Sequence, residues 1–167
     1  MKHQLLTFLL ISYSVLTFAQ DITTTSTIST DTKTEKKELK WETDFETAKK
    51  LAKKENKPLL VFFTGSDWCG PCRLLHTHFF ETEKFIELAN KELILYKADF
   101  PRRTDLVTPE QKTVNYRIKS KYAIRGYPTV IMLNSNGEEI GRRSGFSYDH
   151  DTQYHYALVQ DAIDKNN

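Results

Sequence analysis

Two cysteines, Cys69 and Cys72, are the only thiol side chains in the 167-residue chain, and two residues separate them. They follow an apolar, β-branched run over 58–63 that predicts a buried strand, and they precede apolar residues at helical spacing from Leu74 onward. Cys69 is therefore expected at a helix N-terminus, with Pro71 in the first turn, where a missing N–H costs nothing. Unpaired N–H groups and the helix dipole stabilise a thiolate there, so the pattern predicts reversible thiol–disulfide exchange.

Three other interpretations of the cysteine pair stay open. A structural disulfide across so short a loop would stabilise the fold little, because the entropic effect grows with loop length. A metal site needs three or four ligands, and although His76 and His78 lie nearby, the chain has no second CxxC pair. An inert buried pair fits poorly with the turn-forming residues Gly70 and Pro71 between the cysteines.

In the redox interpretation the two cysteines have different roles. Cys69 is the more N-terminal, and the geometry of a helix start leaves it exposed as the nucleophile. Cys72 lies one turn into the helix, so we expect it to be more buried and to resolve a mixed disulfide formed on Cys69.

Composition and charge narrow the class of protein. The chain is long enough for one domain with appendages, and its 39% hydrophobic and 28% charged residues are ordinary for a soluble protein. The formal net charge is +2 and no basic stripe is evident, so we expect no nucleic-acid partner.

The N-terminus has the pattern of a secretory signal peptide. Lys2 precedes an apolar run over 5–18, and small residues at Thr17 and Ala19 suit a signal peptidase. We therefore predict a signal peptide over 1–19 that is cleaved after Ala19, with a retained membrane anchor as the alternative. The mature protein is then exported, and both cysteines reach a compartment where disulfides persist.

A linker and a domain follow the predicted cleavage site. Residues 20–40 are rich in Thr and Ser with little to bury, and we interpret them as a disordered linker that could carry glycans. The domain is expected over 41–167. Its first helix is predicted to begin at a capping box of Thr43 and Glu46 and to end near Pro58.

Periodicity and turn signals predict the order of the later elements. They are the strand 59–64, a helix after Cys72 that breaks near Thr82, the strand 93–98, a charged loop 101–108, a helix that starts at Thr108, the strand 129–133, a return strand 138–144 after an Asn-Gly turn, and a final helix 149–165. We expect that last helix to bury a face made of Tyr154, Ala157, Leu158 and Ala162.

Two segments resemble thioredoxin. Residues 68–72, Trp-Cys-Gly-Pro-Cys, look like its active site, and residues 121–129 are similar to the segment that carries its cis-proline. Two further pieces, 63–70 and 99–102, are similar to exported bacterial thioredoxin-like proteins. The resemblance covers about 41–165 and implies a thioredoxin fold: an α/β domain whose central mixed β-sheet is flanked by helices. A longer helical segment is expected here before the cis-proline strand.

The resemblance also implies roles for residues around the cysteines. Gly70 and Pro71 support the active-site turn, and Trp68 is expected as a flat platform beside the sulfurs, with an ordinary core tryptophan as the alternative. Pro128 corresponds to the cis-proline, with a trans turn proline as the alternative. The backbone of Tyr127, bulkier than the isoleucine common in the family, would bind an extended substrate.

One departure from the family concerns proton transfer. Thioredoxin has a buried acid six residues before the first cysteine, and here Phe63 occupies that position, so the acid is absent. Asp67, Lys97 and His76 are the candidates to replace it. We favour His76 as a proton relay because it follows Cys72 at i+4 on the same helix face, with a packed or solvated histidine as the alternative.

These features predict an exported, monomeric thiol–disulfide oxidoreductase of the periplasm. Gly-Pro between the cysteines is typical of strongly reducing thioredoxins, and no histidine stands in that gap, so we expect a reductase of protein disulfides. Its partners would be disulfide proteins and an upstream thiol protein, expected in the membrane, that donates electrons. We expect no cofactor beyond the Cys69–Cys72 couple and no metal. The alternatives are a disulfide isomerase or oxidase, and a peptide- or metal-binding module.

Overall fold

A computed structural model describes residues 38–166, so the predicted signal peptide and most of the linker lie outside the described residues. The elements are β1 (Trp41–Glu42), α1 (Phe45–Glu55), β2 (Leu59–Thr64), α2 (Gly70–Leu75), a π-helical turn (His76–Phe80), α3 (Glu83–Glu92), β3 (Ile94–Asp99), α4 (Pro109–Lys121), β4 (Thr129–Leu133), β5 (Glu139–Ser144) and α5 (Gln153–Asn166).

The sheet has the strand order β1-β3-β2-β4-β5 and is mixed. Strand β3 pairs in parallel with both β1 and β2, whereas β4 is antiparallel to β2 and to β5. Every residue of the central strand β2 is buried, as its continuous apolar run predicts. This places the end of β2, which leads into the cysteines, at the middle of the sheet.

Helices cover both faces of the sheet. Residues of α1 and α4 pack on one face with Val61 and Phe63 of β2. Residues of α2, the π-helical turn, α3 and α5 pack on the other face with Leu60 and Phe62, and this layer contains both cysteines. The alternation of β2 side chains therefore decides which residues lie beside the disulfide.

Helix α1 corrects the predicted capping residue. Asp44, and not Thr43, is the N-cap, because its side chain accepts a hydrogen bond from the Thr47 amide at 2.7 Å. Both residue types cap well, and the later start buries Phe45, Ala48 and Ala52 on one face. The helix ends just before Pro58, as predicted, and its C-cap Asn56 takes the left-handed conformation.

The segment after the cysteines breaks where the sequence predicts. Thr82 caps α3, and its hydroxyl accepts the Phe85 amide at 3.3 Å. The sequence did not predict the π-helical turn before it, which buries Phe79 and Phe80 side by side. Such a turn holds one residue more than an α-helical turn.

Helix α4 starts at Thr108, as predicted, with a capping box. The Thr108 hydroxyl accepts the Gln111 amide at 3.2 Å, and the Gln111 side chain accepts the Thr108 amide at 2.9 Å. Pro109 occupies the first helical position. The 13 residues of α4 form the longer helical segment expected before β4. Between β3 and this cap, residues 100–107 form an irregular loop, called the 100–107 loop below.

Helix α5 begins at Gln153, later than predicted, and buries a different face. The predicted inner residue Tyr154 is 53% exposed, Ala157 is exposed and Leu158 is half-buried, so only Ala162 of the predicted four is buried. The buried residues are His155, Val159, Ala162 and Ile163. The reason is His155, a polar residue type that the pattern places outside but that packs against the rings of Phe79 and Phe146.

Candidate active site

Cys69 and Cys72 form a disulfide at the start of α2, with their Cα atoms 5.3 Å apart. Cys69 is the N-cap of the helix, and its Sγ accepts the Cys72 amide at 3.3 Å. Gly70 and Pro71 form the first turn, both half-buried. The predicted placement of Cys69 at a helix N-terminus, with Pro71 in the first turn, is confirmed.

Both cysteines are buried in this oxidised state. Cys72 is 1% exposed, but Cys69 is only 4% exposed, so the expectation of an exposed Cys69 is wrong for the disulfide form. The order of exposure is as predicted, and the cause of the burial is packing against the layer that contains Phe62 and Leu75. Cys69 offers a small accessible surface at the helix start, where an incoming sulfur could approach.

The turn between β2 and Cys69 depends on Gly65. Its carbonyl accepts the amides of Trp68 at 3.2 Å and Cys69 at 2.8 Å, which closes the turn. A Cβ atom on Gly65 would overlap the Trp68 indole, so only glycine lets the backbone approach the ring this closely. The Ser66 amide donates to the Asp99 carboxylate at 2.9 Å and ties the turn to the end of β3.

Trp68 lies at the surface beside the disulfide turn. It is 36% exposed, which rules out the interpretation as an ordinary core tryptophan. Its indole Nε1 donates to the Phe100 carbonyl at 2.8 Å, and its ring meets the Tyr127 ring edge-on with centroids 5.7 Å apart. The structure therefore brings together Trp68 and Tyr127, which the sequence predicted for the same site from separate motifs.

The Tyr127–Pro128 peptide bond is cis. Pro128 is buried, and its carbonyl accepts the Gly145 amide at 2.7 Å. Tyr127 is half-buried and packs against the layer that contains both cysteines. Its ring contacts Phe100 of the 100–107 loop, with centroids 5.3 Å apart.

Asp67 holds the 100–107 loop against the active-site turn. Its carboxylate accepts the amide of Arg102 at 3.0 Å and that of Arg103 at 2.9 Å. The hydrogen bond from Arg103, with a smaller contribution from Arg102, holds the pKa of Asp67 below its ordinary value. This carboxylate is engaged with the loop, which argues against it as the proton-transfer group for Cys72.

A cavity of about 300 Å³ lies beneath Cys72. His76 and Lys97, the two remaining proton-transfer candidates, both line it together with Cys72. His76 is half-buried, and its Nδ1 lies 3.3 Å from the Glu81 carboxylate. Lys97 is exposed on β3. The structure thus places both candidates around one space that adjoins the resolving cysteine.

The residue of β2 beneath the disulfide is Phe62 and not Phe63. Phe62 lies opposite Lys97 in the sheet register, packs in the layer with both cysteines and lines the cavity. Phe63 lies opposite Ala98 and packs on the other face of the sheet. Counting back six residues leads to the wrong face, because side chains alternate along a strand. The position facing Cys72 is apolar in either case.

Sequence reasoning missed the contribution of two cations. The Arg102 guanidinium lies 5.4 Å from the Trp68 ring centre. The Lys119 Nζ lies 5.3 Å from the ring centre of Phe100 and 5.0 Å from that of Tyr127. The available signal was the unusual length of the segment between β3 and the cis-proline, which suggested a surface for partner contacts but not its chemistry.

Within residues 38–166, no three His, Cys, Asp or Glu side chains are grouped so that they could hold a metal ion. In the same range, none of the helices is both long and apolar enough to cross a membrane.

Comparison with known proteins defines the class. A family model described as a thioredoxin-like domain matches residues 45–153. The structure superimposes on that of a DsbH oxidoreductase with a TM-score of 0.67 and 24% sequence identity, covering 92% of this chain and 95% of that one. The fold is thus the thioredoxin fold.

Sequence relatives agree with this assignment. The chain is 31% identical over 104 residues to the disulfide bond reductase DsbH of Chlamydia pneumoniae, covering 62% of this chain and 61% of DsbH. It is 35% identical over 92 residues to a thioredoxin of Rickettsia bellii, covering 55% of this chain and 71% of that protein. The chain therefore matches less than two thirds of the length of DsbH. It belongs to the thioredoxin-like domain family.

Proposed function

We propose that this protein is a thiol–disulfide oxidoreductase that reduces disulfides in other proteins through the Cys69–Cys72 couple. The observation that carries the proposal is a disulfide at the N-terminus of α2, bordered by the exposed ring of Trp68. Helix amides favour a thiolate on Cys69, and the adjacent surface gives a substrate a place to bind.

The reaction is a two-step exchange of disulfides. In the reduced enzyme, the Cys69 thiolate attacks one sulfur of the substrate disulfide, forms a mixed disulfide and releases the other sulfur as a thiolate that takes up a proton. Cys72 then loses its proton and attacks Cys69 Sγ, which releases the second substrate thiol. The substrate gains two electrons, and the enzyme is left with the Cys69–Cys72 disulfide.

Three features support reduction as the direction. Gly-Pro separates the cysteines, as in the strongly reducing members of the family. No histidine stands between the cysteines to stabilise the Cys69 thiolate further, whereas strong oxidants need such extra stabilisation. The relative from Chlamydia pneumoniae is named a reductase. The alternative is a disulfide isomerase or oxidase with the same residues.

A reductase needs a source of electrons and a place to work. We place the protein in the periplasm, exported by the signal peptide over 1–19 and cleaved after Ala19, with the domain acting as a monomer. Disulfides persist in that compartment, so a thiol protein of the membrane would have to re-reduce the Cys69–Cys72 pair. No other cofactor is required by this chemistry.

Tyr127 and Pro128 form the substrate-binding side of the site in this proposal. An extended substrate segment would lie beside the cis peptide bond and hydrogen-bond to the Tyr127 backbone. The edge-on contact between the Tyr127 and Trp68 rings supports this assignment, because it joins the residue before Pro128 to the active-site turn.

His76 is the proposed proton relay for Cys72, with Lys97 as the alternative. Both line the cavity beneath Cys72, where water could carry a proton to the half-buried imidazole. The test is the pH profile of thiol exchange in His76→Ala and in Lys97→Met. A profile that changes only in His76→Ala supports the relay, and an unchanged profile in that variant contradicts it.

The deciding experiment is the reduction potential of Cys69–Cys72, measured by equilibrating residues 20–167 with defined thiol buffers and following tryptophan fluorescence. A value near about −270 mV is expected for a reductase, whereas about −180 to −120 mV would indicate an isomerase or an oxidase. The variant Cys69→Ser should lose all turnover of insulin disulfides with dithiothreitol as the donor. No reversible two-electron transition would contradict the redox function and leave a peptide- or metal-binding module.

A further inference from the structure

The surface beside the disulfide carries a continuous row of aromatic rings. Trp68 meets Tyr127 with ring centroids 5.7 Å apart, Tyr127 meets Phe100 at 5.3 Å, and Phe100 meets Tyr116 edge-on at 5.3 Å. Trp68 is 36% exposed and Tyr116 is 54% exposed. These four residues are called the aromatic row below.

Two cations lie on this row without a carboxylate partner in the described part of the chain. Arg102 lies over Trp68, and Lys119 lies over Phe100 and Tyr127. Two neighbouring cations are paired, because Arg103 binds Asp105 at 2.6 Å and Arg117 binds Glu46 at 3.0 Å. Arg102 and Lys119 are therefore the cations over the rings that are available to an external anion.

The acidic groups near the row are already engaged. Asp67 accepts the amides of Arg102 and Arg103, and Asp105 forms the ion pair with Arg103. Asp99 is only 7% exposed, and its carboxylate accepts the Ser66 amide. Amide hydrogen bonds leave Asp67 and Asp99 charged, but the cations Arg102, Lys112 and Lys119 around the row outnumber these two carboxylates, so the net charge there is positive.

The 100–107 loop is held in place before any substrate arrives. The Arg102 amide is bonded to Asp67, and the Phe100 carbonyl accepts the Trp68 indole at 2.8 Å. These bonds fix the backbone of Arg102 beside the active-site turn, so the loop loses little further conformational entropy when a substrate binds. A cavity of about 230 Å³ between this loop and α4, lined by Phe100 and Tyr116, has room for an apolar side chain.

We propose that the aromatic row, with Arg102 and Lys119, selects substrate segments that carry acidic residues beside the disulfide cysteine. The rings pack against the extended segment, and the two cations pair with its Asp or Glu side chains. This substrate class rests on the proposed function as a disulfide reductase. Exposed ion pairs are individually weak, so the selection acts mainly on the encounter and is sensitive to salt.

The test uses two disulfide peptides of the same sequence, one with Asp and Glu around a cysteine and the other with Asn and Gln. With dithiothreitol as the donor, wild-type protein at low salt should show a kcat/KM about fivefold higher for the acidic peptide. That ratio should fall to about one in the double variant R102Q/K119Q and in about 0.5 M salt. Arg117→Gln is the matched control, because it removes an exposed but paired charge from α4, and it should retain the ratio.

The outcomes separate this inference from the function on which it rests. Equal rates for the two peptides in wild-type protein, or a preference that persists in R102Q/K119Q, would overturn the acidic selection and leave the reductase function intact. Failure to reduce either peptide, together with failure to reduce insulin, would overturn the proposed function itself.

Discussion

Polar groups have opposite surroundings in two regions of the molecule. One is the active-site edge, where the turn before Cys69 meets the 100–107 loop, and the other is the packing beneath α5. At the edge, Asp67 and Trp68 are exposed, and each bonds to the 100–107 loop, more than thirty positions away. Beneath α5, His155 is 2% exposed, and neither of its ring nitrogens has a hydrogen-bond partner among the described residues. Its surroundings are the rings of Phe79 and Phe146.

This difference indicates that the active-site edge serves function and that the packing beneath α5 serves stability. Contacts of the edge are exposed and each contributes modestly to folding, so their loss should alter the site more than the fold. Packing beneath α5 excludes water, so changes there should alter the free energy of unfolding first. Four predictions test the comparison, each by a change in one of the two regions.

The largest effect is expected for Phe79→Ala. Phe79 is fully buried and contacts four other rings, so its removal leaves a cavity and should lower the free energy of unfolding by about 3–5 kcal/mol in urea titrations. The milder Phe79→Leu provides a folded variant. Leu106→Ala in the 100–107 loop, where the side chain is 43% exposed, should change stability by less than about 0.5 kcal/mol. Equal losses at the two positions would contradict the comparison.

The second prediction concerns acid stability. Burial, reinforced by the charge of Arg143 and opposed by Asp151, lowers the pKa of His155 from 6.5 to about 4. Below pH 6.5 the unfolded chain therefore binds a proton at His155 that the folded chain does not bind. The free energy of unfolding is consequently highest above pH 6.5 and decreases as pH falls toward 4. His155 should account for about 2 kcal/mol of this loss between pH 7 and 4.5.

His155→Leu tests that assignment by comparison with wild type. Urea titrations at several pH values should show a shallower loss of stability in the variant over the same pH range. Parallel curves for the two proteins would show that His155 is not the group responsible.

An intermediate effect is expected for Gly65→Ala. The added Cβ would overlap the Trp68 indole, so the ring must move and its bond to the Phe100 carbonyl must break, at a cost of about 1 kcal/mol. Tryptophan fluorescence should shift to the red as the ring becomes more exposed. Gly70→Ala is the control, because a Cβ there meets nothing within 4 Å and should leave the spectrum unchanged. A variant with wild-type fluorescence would contradict the close packing of this turn.

The smallest effect on folding is expected for Asp67→Ala. Removing the carboxylate releases the amides of Arg102 and Arg103, and their hydrogen exchange should accelerate by about tenfold while the urea midpoint barely moves. Because the pKa of Asp67 is lowered, the loop should stay docked in wild type until pH falls through that lowered value. Asp67→Asn keeps an acceptor oxygen and should exchange more slowly than Asp67→Ala. Unchanged exchange in both variants would show that other contacts hold the loop.

Sequence signals predicted the features that depend on neighbouring residues. The caps at Thr82 and Thr108, the end of α1 at Asn56 and the placement of Cys69 each depend on groups within about one helical turn. Each of these side chains or backbone groups meets its partner wherever the rest of the chain lies.

The sequence did not predict features that distant contacts decide. The two-residue strand β1 exists only through its pairing with β3. Whether Phe62 or Phe63 lies beneath the disulfide depends on the register of β2 against β3. Which face of α5 is buried depends on the rings that pack against His155. The docking of Arg102 on Asp67 joins two loops whose sequences give no mutual signal.

The π-helical turn at His76–Phe80 also changes the direction in which the residues after it point around the helix axis. One extra residue rotates everything that follows it by about 100° relative to a continuous α-helix, so α2 and its extension do not share one register. Deleting a single residue within 76–80 would thus not simply shorten the helix. It would rotate Phe79, Phe80 and the cap at Thr82 about the helix axis relative to the cysteines. The π-helical turn thus sets the orientation of the buried rings relative to the disulfide at the start of the segment.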